Sequence, residues 1–493
     1  MEKVQFDSIY QSNMVIQAKQ PFRFGGFGEP NFNFSLKITT NNKNIFEQTI
    51  FINNDGSWSS QEVYYEYDDH IKVEVVLHKT KPSTLILNNI VAGDVYLFSG
   101  QSNIEYKLKD DIDYSEDSYV NDTISIYEIP QKEYKGHQPS SSNGKWTNFS
   151  SIGWKDKSAI AYYACKYIVK NKVTHHKIGI VCCYKGGTSA SSWVPIDSLK
   201  ENENLKKIYL EPFYEITSKF TSEEQEKLMA DFETKSRDYQ LIKKEMIDKF
   251  PNRSLEDIKK EIGHTPWPPP LTEKSYQRPG GLYETMFLEA AKLQYSGIVW
   301  YQGEEDVQYG TIYKDLLMLL IKEWRKKLNR ENIPVFVIQL PKYGDAPKDS
   351  WPITRKCQQE VGNDLNNVYV ICTIDQGEEF NIHPTSKQCI GNRVGLFINK
   401  VIYERKTNFI PKLENFYKIS SDSIFLVFSG IKELSIKSKN KVNIEYYSLD
   451  NNRVGLKVNQ NSFNYAWGNF DDSLYLFNEL DIPIYPFNIR LYL

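Results

Sequence analysis

The chain has 493 residues, of which 40% are hydrophobic, 25% are charged and 14% are aromatic. This apolar content excludes a disordered protein, and the length suits roughly two to four domains of about 150 residues each. The net charge of −3 gives no indication of a polyanionic partner, so we expect no nucleic-acid binding.

The sequence contains no run of about 18 apolar residues, so it predicts no membrane span. The first seven residues lack the apolar core of a signal peptide. The six cysteines lie mostly in apolar segments and do not have the spacing of a metal site. We therefore expect a cytoplasmic protein without a metal or other cofactor, and export by a route that needs no signal peptide is compatible with this interpretation.

Residues 1–90 read as short strands separated by turns. Asn53-Asn54-Asp55-Gly56 is a strong turn signal before Ser57-Trp58. Residues 70–77 alternate between apolar and polar side chains with a period of two, as a half-buried strand does. The pattern predicts an N-terminal β-sandwich domain over 1–90.

From residue 91 the pattern changes to apolar strands that alternate with helices. The predicted strands are 95–98, 178–184, 298–302, 335–340 and 368–372, and the predicted helices between them include 159–170, 312–326 and 387–398. Strands that are apolar throughout are typical of a parallel sheet covered by helices on both faces. We therefore predict an α/β catalytic domain over 91–405.

A helical insertion interrupts this domain over about 196–278. Thr221 and Glu224 resemble a capping box at the start of a long charged helix, and the proline-rich segment 266–270 predicts extended chain. We interpret the insertion as a surface elaboration, with a lid over a cleft as the alternative. After residue 405 strand patterns return and predict a C-terminal β-rich domain over 406–493.

The motif Gly100-Gln101-Ser102-Asn103 follows the first predicted strand of the α/β domain. A serine just past a strand end, beside a glycine that permits a sharp turn, presents its hydroxyl at the edge of a sheet. In an open parallel sheet, the loops at the carboxyl ends of the strands converge on one crevice. Motifs that follow the other strands are therefore expected to meet Ser102 there.

Three such motifs follow later strands. The glycine pair in Gly186-Gly187-Thr188 allows backbone N–H groups to approach a ligand closely, as an oxyanion hole requires. Residues 300–306, Trp-Tyr-Gln-Gly-Glu-Glu-Asp, place a polar cluster at a strand end. His383 is the one histidine of seven that lies after a strand of this unit and before a helix. A helix N-terminus disfavours imidazolium, so a neutral base is expected there.

Together these motifs resemble the ordered blocks of the sialate O-acetylesterases, a family of the SGNH superfamily of serine esterases. The resemblance rests on Gly100–Asn103, on Gly186-Gly187-Thr188 with Trp193, on residues 300–304, and on Ile382-His383-Pro384 with Lys387 and Gly391-Asn392-Arg393. It covers nearly the whole chain and implies an SGNH-hydrolase-like (flavodoxin-like) fold that works without a cofactor.

The resemblance also implies roles for individual residues. Ser102 would be the nucleophile, His383 the general base, and the backbone N–H groups of Ser102 and Gly187 the oxyanion donors. Asp306 stands where the family usually has an asparagine, and we assign it to the oxyanion hole in that place. Because an ionised carboxylate would repel an oxyanion, the alternatives are that Asp306 is protonated, is turned away or has another role. Substrate contacts are expected from a set that comprises Gln101, Asn103, Trp193, Gln302 and Glu304.

The acid that would orient His383 is not defined by the resemblance. The family often has an aspartate two residues before the histidine, where this chain has Asn381, and Phe380 precedes it. Asp375 is our prediction for the acid, with Glu304, Glu379 or a Ser-His dyad held by a backbone carbonyl as alternatives. For a substrate carboxylate, Arg278 is the predicted partner and Arg393 the alternative, with a structural ion pair as the other interpretation of Arg393.

The implied function is a serine esterase that removes O-acetyl groups, 9-O-acetyl groups in particular, from sialic acid. One alternative is an acetyl esterase with the same chemistry that acts on polysaccharides such as xylan or mannan. The other is a non-catalytic carbohydrate-binding protein on a decayed esterase fold, for which Asp306 and Asn381 argue. The many Tyr and Trp residues suit a sugar-facing surface.

Overall fold

The computed structural model describes residues 4–77, 83–116, 120–137, 144–171, 173–251, 253, 255–263, 265–420, 423–437, 446–450, 452–457, 462–472 and 475–490. Within these residues the chain forms a central α/β unit with strand-rich regions at both ends.

The N-terminal region forms two sheets that pack on a shared apolar core. Its strands are β1 Val4–Phe6, β2 Val15–Gln17, β3 Gly25–Gly28, β4 Asn33–Thr40, β5 Lys43–Phe51, β6 Ser57–Ser59, β7 His70–Leu77 and β8 Ser83–Gly100. Alternate residues of β4 and β7 are buried, as the period of two predicts. Phe34 of one sheet meets Trp58 of the other edge to face at 5.1 Å, so the predicted sandwich architecture is confirmed.

Strand β8 connects this region to the central sheet. Its first half pairs with β7, residues Val91–Gly93 pair with β2, and residues 94–100 pair with two central strands. The predicted boundary at residue 90 therefore falls inside one continuous strand. Because β8 is held along its whole length, the turn that follows Gly100 starts from a fixed position.

The central sheet consists of parallel strands with one antiparallel strand at its edge. Besides β8 it contains β9 Val120–Glu128, β10 Thr147–Ser150, β11 Ile178–Tyr184, β12 Gly297–Tyr301, β13 Val335–Ile338 and β14 Val368–Ile371. The order is β10-β9-β11-β8-β12-β13-β14, and β10 is the antiparallel strand. The predicted parallel sheet is confirmed, whereas β9 and β10 were not predicted.

Helices cover both faces of this sheet. The helices are α1 Ser102–Glu105, α2 Ser151–Trp154, α3 Ala159–Lys170, α4 Ile196–Glu201, α5 Glu203–Leu205, α6 Glu211–Thr217, α7 Ser222–Lys249, α8 Leu255–Ile262, α9 Leu288–Ala290, α10 Ile312–Lys327, α11 Ser350–Asp364 and α12 Gln388–Ile398. Helices α3 and α12 share an apolar core with Phe98 and Cys182, while α10 shares another with Leu97 and Val181. Successive residues of one strand therefore pack into the cores on opposite faces of the sheet.

Shorter helical turns lie between these elements. Turns of the 3₁₀ type occur at Leu108–Asp110, Ala190–Trp193 and Glu304–Tyr309, and wider π-type turns at Lys206–Leu210, Tyr283–Phe287 and Asn399–Tyr403. The predicted capping box of α7 is present, with Thr221 and Glu224 bonded reciprocally. No helix in the described ranges is long and apolar enough to cross a membrane.

The C-terminal region is strand-rich, as predicted. Its strands are β15 Lys412–Ser420, β16 Ser423–Ser429, β17 Ser435–Lys437, β18 Tyr446–Asp450, β19 Arg453–Lys457, β20 Ser462–Tyr465, β21 Tyr475–Phe477 and β22 Phe487–Arg490. They form a four-stranded antiparallel sheet, β15-β16-β19-β18, and two two-stranded antiparallel sheets, β17-β21 and β20-β22. Cys372 and Ile374, just past β14, pack into the core of this region and so attach it to the loop that carries His383.

Candidate active site

Ser102 lies at the carboxyl edge of the central sheet, as the first residue of α1. Gly100 closes β8 with φ of +138°, and a Cβ there would lie 2.0 Å from the carbonyl oxygen of Tyr301. Only glycine allows this approach to the neighbouring strand. Gln101 then donates its N–H to the Tyr301 carbonyl at 3.0 Å, which fixes the turn that presents Ser102.

His383 lies in the loop between β14 and α12 and reaches Ser102 directly. Its Nε2 is 2.7 Å from Ser102 Oγ, which is hydrogen-bond distance. Asn103, next to the serine, donates to the Ile382 carbonyl at 3.0 Å, and Asn381 Oδ1 accepts the His383 N–H at 3.2 Å. The two motifs therefore meet, as the strand-end argument predicts, and a backbone contact beside each residue holds them together.

His383 is kept neutral by its surroundings. Burial lowers the pKa of His383 to about 4, and the positive charges of Lys387, Lys259 and Lys243 contribute in that order. A neutral imidazole with its proton on Nδ1 leaves Nε2 free to accept the Ser102 proton. The structure thus supports the predicted neutral base. The low pKa of His383 comes from burial and nearby lysines, and not from the helix terminus that we expected.

Asp375 does not orient His383. Its two carboxylate oxygens receive a bidentate pair from Arg393 at 2.6 and 2.7 Å, and Gln376 donates to one of them. The prediction of Asp375 as the acid is therefore not supported, because the buried guanidinium of Arg393 occupies both of its oxygens. Arg393 is likewise engaged and does not present a free cation to a substrate.

The alternative acids also lie away from the imidazole. Glu304 accepts from Asn103 at 2.6 Å, and Glu379 is exposed. Glu378 instead accepts from Asn381 and from Thr385. Among the described residues no carboxylate hydrogen-bonds to His383, so the arrangement is that of a Ser-His dyad, the remaining alternative.

Asn103 is an interior residue and not a substrate contact. Besides its bond to Ile382, it donates to Glu304 Oε1 at 2.6 Å and accepts from Lys387 Nζ at 2.7 Å. All three side chains are buried. Burial lowers the pKa of Lys387 to about 7 and raises the pKa of Glu304. The predicted substrate roles of Asn103 and Glu304 are therefore replaced by a network that holds the dyad from behind.

Gly187 lies close to the serine with an unused backbone donor. A Cβ built on Gly186 would lie 3.3 Å from Ser102 Cβ, and Gly187 has φ of +67°, which favours glycine. No acceptor for the N–H of Ser102 or Gly187 is found in the described part of the chain. Both N–H groups are therefore without a partner among the described residues, and their role as oxyanion donors stays a prediction.

Asp306 faces away from Ser102 and serves the neighbouring loop. Its four hydrogen bonds come from a set that comprises Ser189 Oγ at 2.6 Å, Tyr209 Oη at 3.0 Å, the Ala190 N–H at 2.8 Å and Gln302 Nε2 at 2.6 Å. The side chain is 0% exposed. The assignment of Asp306 to the oxyanion hole is not supported, since both oxygens are engaged as acceptors in this loop.

The other predicted substrate contacts are also engaged in hydrogen bonds within the protein. Gln302 donates to the Thr188 carbonyl and to Asp306, and the indole of Trp193 donates to Thr188 Oγ1 at 3.0 Å. Gln101 is buried, with Oε1 3.4 Å from the Glu305 N–H. Arg278 donates to backbone carbonyls of Glu133, Ser275 and Gly281, and so links segments of the chain. These residues shape the site without facing it.

An open cleft lies in front of the dyad. It has a volume of about 220 Å³ and is lined by Ser102, Glu105, Tyr106, Lys107, Asp110 and His383. Larger clefts of about 640 and 490 Å³ lie between the central unit and the two terminal regions, and contain neither Ser102 nor His383. The dyad therefore opens onto a small, accessible cleft that shares no lining residue with the two larger ones.

Sequence reasoning missed several residues around the dyad. Glu105 accepts the Gly186 N–H at 2.6 Å and so holds the loop that carries Gly187. The signal that could have identified Glu105 is its position three residues after Ser102.

Glu305 lines a second cavity of about 110 Å³ beside Gln277. Burial, with Asp306 and Glu304, raises the pKa of Glu305 to about 8, so it is protonated at neutral pH. Trp267 of the insertion packs on Gly187.

The described residues contain no group of three or more His, Cys, Asp or Glu side chains arranged to hold a metal ion. The groups assembled at the dyad are a serine hydroxyl, a neutral imidazole and the backbone N–H groups of Ser102 and Gly187. This set is sufficient for acyl transfer through a serine.

Comparison with known proteins agrees with this chemistry. Residues 269–395 match the family "Carbohydrate esterase, sialic acid-specific acetylesterase", a segment that contains His383 but not Ser102. The chain is 20% identical over 441 residues to sialate O-acetylesterase of Mus musculus, covering 80% of this chain and 73% of that protein. A carbohydrate acetylesterase from Xanthomonas citri shares its fold, with a TM-score of 0.69 and 18% identity over 99% of this chain and 100% of the other.

The family match, the curated relative and the shared fold all agree with the resemblance found in the sequence motifs. They favour an esterase over the non-catalytic alternative and support acetyl esters of carbohydrates as its substrates. The chain is a carboxylic ester hydrolase, and its residues 269–395 are similar to the sialic acid-specific acetylesterases.

Proposed function

We propose that the protein removes O-acetyl groups from sialic acid, 9-O-acetyl groups in particular, by two-step acyl transfer through Ser102. The observation that carries the mechanism is the 2.7 Å contact between Ser102 Oγ and His383 Nε2. The name of the matched family and that of the curated relative support the sialate substrate.

In the first step, Ser102 Oγ attacks the acetyl carbonyl carbon while His383 Nε2 takes the hydroxyl proton. The carbonyl oxygen becomes an oxyanion, which the N–H groups of Ser102 and Gly187 stabilise. The bond to the sugar oxygen then breaks, and His383 returns its proton to that oxygen. The products are the free sugar hydroxyl and an acetyl-serine.

In the second step, His383 takes a proton from water, and the resulting hydroxide oxygen attacks the acetyl-serine carbonyl carbon. The same two donors hold the second oxyanion. Ser102 Oγ leaves with the proton from His383, and acetate is released. The low pKa of His383 keeps it in the proton-accepting form at neutral pH, so both steps start from the correct protonation state.

The substrate is tested by measuring acetate release from 9-O-acetyl-N-acetylneuraminic acid beside acetylated xylan and acetylated mannan. The proposal predicts the highest kcat/KM on the sialic acid, and no release by Ser102→Ala above background. Activity confined to the polysaccharides would instead assign the protein to the alternative substrate class. Equal inactivity of wild type and Ser102→Ala on all three, and on 4-nitrophenyl acetate, would contradict the esterase mechanism itself.

A further inference from the structure

The proposed substrate carries a carboxylate, and both arginines expected to bind it are engaged elsewhere. Arg393 is paired with Asp375, and Arg278 donates to backbone carbonyls. A carboxylate that binds in the cleft of the dyad therefore needs another cation. Among the six residues that line this cleft, Lys107 is the one lysine or arginine.

The charge of Lys107 is not used by a carboxylate of the protein. Its side chain is exposed, and no carboxylate lies within ion-pair distance of it among the described residues. The next lysine in the sequence, Lys109, is paired with Asp156 at 2.7 Å and does not line the cleft. Lys107 is therefore a cation that is available to a ligand in front of the dyad.

Two carboxylates line the same cleft. Glu105 has both oxygens engaged, one by Gln131 Nε2 at 2.8 Å and the other by the Gly186 N–H at 2.6 Å. Asp110 is exposed and is not paired with Lys107. Because the charge of Asp110 repels an anion, removing that charge should favour an acidic ligand beside Lys107.

Tyr106 lines the cleft with a ring that is fixed in place. Its hydroxyl donates to the Asp110 carbonyl at 2.7 Å, and Lys387 Nζ lies 4.6 Å from the centre of the ring. The side chain is half-buried, so part of the ring remains accessible. A rigid aromatic ring offers a large contact area at little entropic cost, which suits the apolar face of a sugar.

The turn 106–110, which carries these side chains, is itself held beside the dyad. Leu108 is buried and donates its N–H to the Lys157 carbonyl at 2.9 Å. Just after the turn, the Ile112 N–H donates to the Thr385 carbonyl at 3.1 Å, in the loop that carries His383. Side chains on a fixed backbone lose less freedom when a ligand binds, so this turn is preorganised for recognition.

We propose that the turn 106–110 recognises the sugar of the substrate, with Lys107 pairing with the carboxylate of an acidic sugar ester and Tyr106 packing against its ring. This inference rests on the proposed function, because it assigns the anionic group of that substrate to the cleft of the dyad. The turn then selects acidic over neutral acetylated sugars.

The first test uses the unmodified protein and two substrates that differ in one charge, 9-O-acetyl-N-acetylneuraminic acid and its methyl ester. We expect KM for the acid to be about fivefold below KM for the methyl ester, the scale of an exposed ion pair, with similar kcat. The advantage should shrink as NaCl rises from about 20 to about 500 mM, since screening weakens exposed ion pairs. Equal KM values for the two substrates at low salt would overturn the proposal.

The second test compares three charge variants on the same two substrates. Lys107→Met should abolish the preference for the acid, whereas Asp110→Asn should strengthen it, because the two changes act with opposite sign on a bound carboxylate. Lys109→Met is the matched control and should keep the wild-type preference, since Lys109 does not line the cleft. A Lys107→Met variant that prefers the acid as strongly as wild type would contradict the assignment of Lys107.

The third test examines the ring of Tyr106 with ethyl acetate, an ester without a sugar. Tyr106→Leu should lose about fivefold more kcat/KM on the sialic acid esters than on ethyl acetate, and Tyr106→Phe should retain the sugar contact. Equal losses on all esters would show that the ring supports the dyad and not the sugar. A wild type that hydrolyses ethyl acetate but neither sialic acid ester would instead contradict the proposed function.

Discussion

Lys387 Nζ donates to Asn103 Oδ1 over 2.7 Å inside the protein, and so joins the start of α12 to the helix that begins at Ser102. The same asparagine donates to the carbonyl that precedes His383. Asn103 therefore connects the helix of Ser102 to the backbone beside His383, and Lys387 fixes the orientation of the Asn103 amide.

Lys387→Met should lower kcat at neutral pH by about tenfold or more, because Asn103 loses the donor that orients it between Ser102 and the loop of His383. The Lys387 charge also lowers the pKa of His383, so its removal should move the acidic limb of the pH–rate profile to higher pH. The profile of kcat/KM for 4-nitrophenyl acetate between pH 3.5 and 8 measures both effects. An unchanged limb would show that Lys387 does not act on His383.

The wild-type profile itself follows from the pKa of His383, about 4. The base works in its neutral form, which is populated above its pKa, so kcat/KM should stay level from pH 7 to about pH 5. Below pH 4 it should fall about tenfold per pH unit as the imidazole is protonated. Circular dichroism over the same range separates this loss from unfolding. An acidic limb with an apparent pKa near 6.5 would indicate an ordinary, solvated histidine.

Asp375→Asn distinguishes an ion-pair residue from a catalytic acid. The change leaves the buried Arg393 charge without its partner, and breaking a buried pair typically costs about 3–5 kcal/mol, so Tm should fall clearly. In a serine triad, the corresponding change lowers kcat about 10⁴-fold. We expect kcat per folded molecule to fall less than tenfold. A fall of several powers of ten without loss of Tm would restore Asp375 as the acid.

Asp306→Asn tests the residue that stands where the family that the motifs resemble usually has an asparagine. The amide would turn a donor toward groups that now donate to Asp306, so at least one buried hydrogen bond should be lost, at a cost of about 1–3 kcal/mol. We expect a lower Tm and no gain in kcat. Asp306→Ala should be less stable still, measured by urea unfolding. A more active asparagine variant with unchanged stability would place position 306 at the oxyanion.

The fold and the dyad were predictable because both depend on strong local patterns. Apolar strands between helices indicate a parallel sheet, and its geometry brings the ends of β8 and β14 together, hence Ser102 and His383. Strands β9 and β10 escaped prediction because polar residues such as Asn121, Asp122 and Asn148 interrupt their apolar pattern.

The polar side chains around the dyad were harder to place. Asn103, Gln302 and Trp193 were expected to face substrate, yet all three are buried and bonded inside the protein. A polar residue beside a catalytic one turns inward or outward according to partners far away in the sequence, such as Lys387 for Asn103. For the same reason Asp375 pairs with Arg393, 18 positions later in the sequence, and not with His383.

The most direct measurement is peptide mass spectrometry of the protein after reaction with an alkyl fluorophosphonate, which traps an activated serine. The account predicts one adduct per chain, on Ser102, with acetate release lost in proportion to labelling. His383→Ala should label at least 10³-fold more slowly, in line with the loss seen when a serine hydrolase loses its base. An adduct on another serine, or full activity in a fully labelled protein, would contradict the Ser102–His383 mechanism.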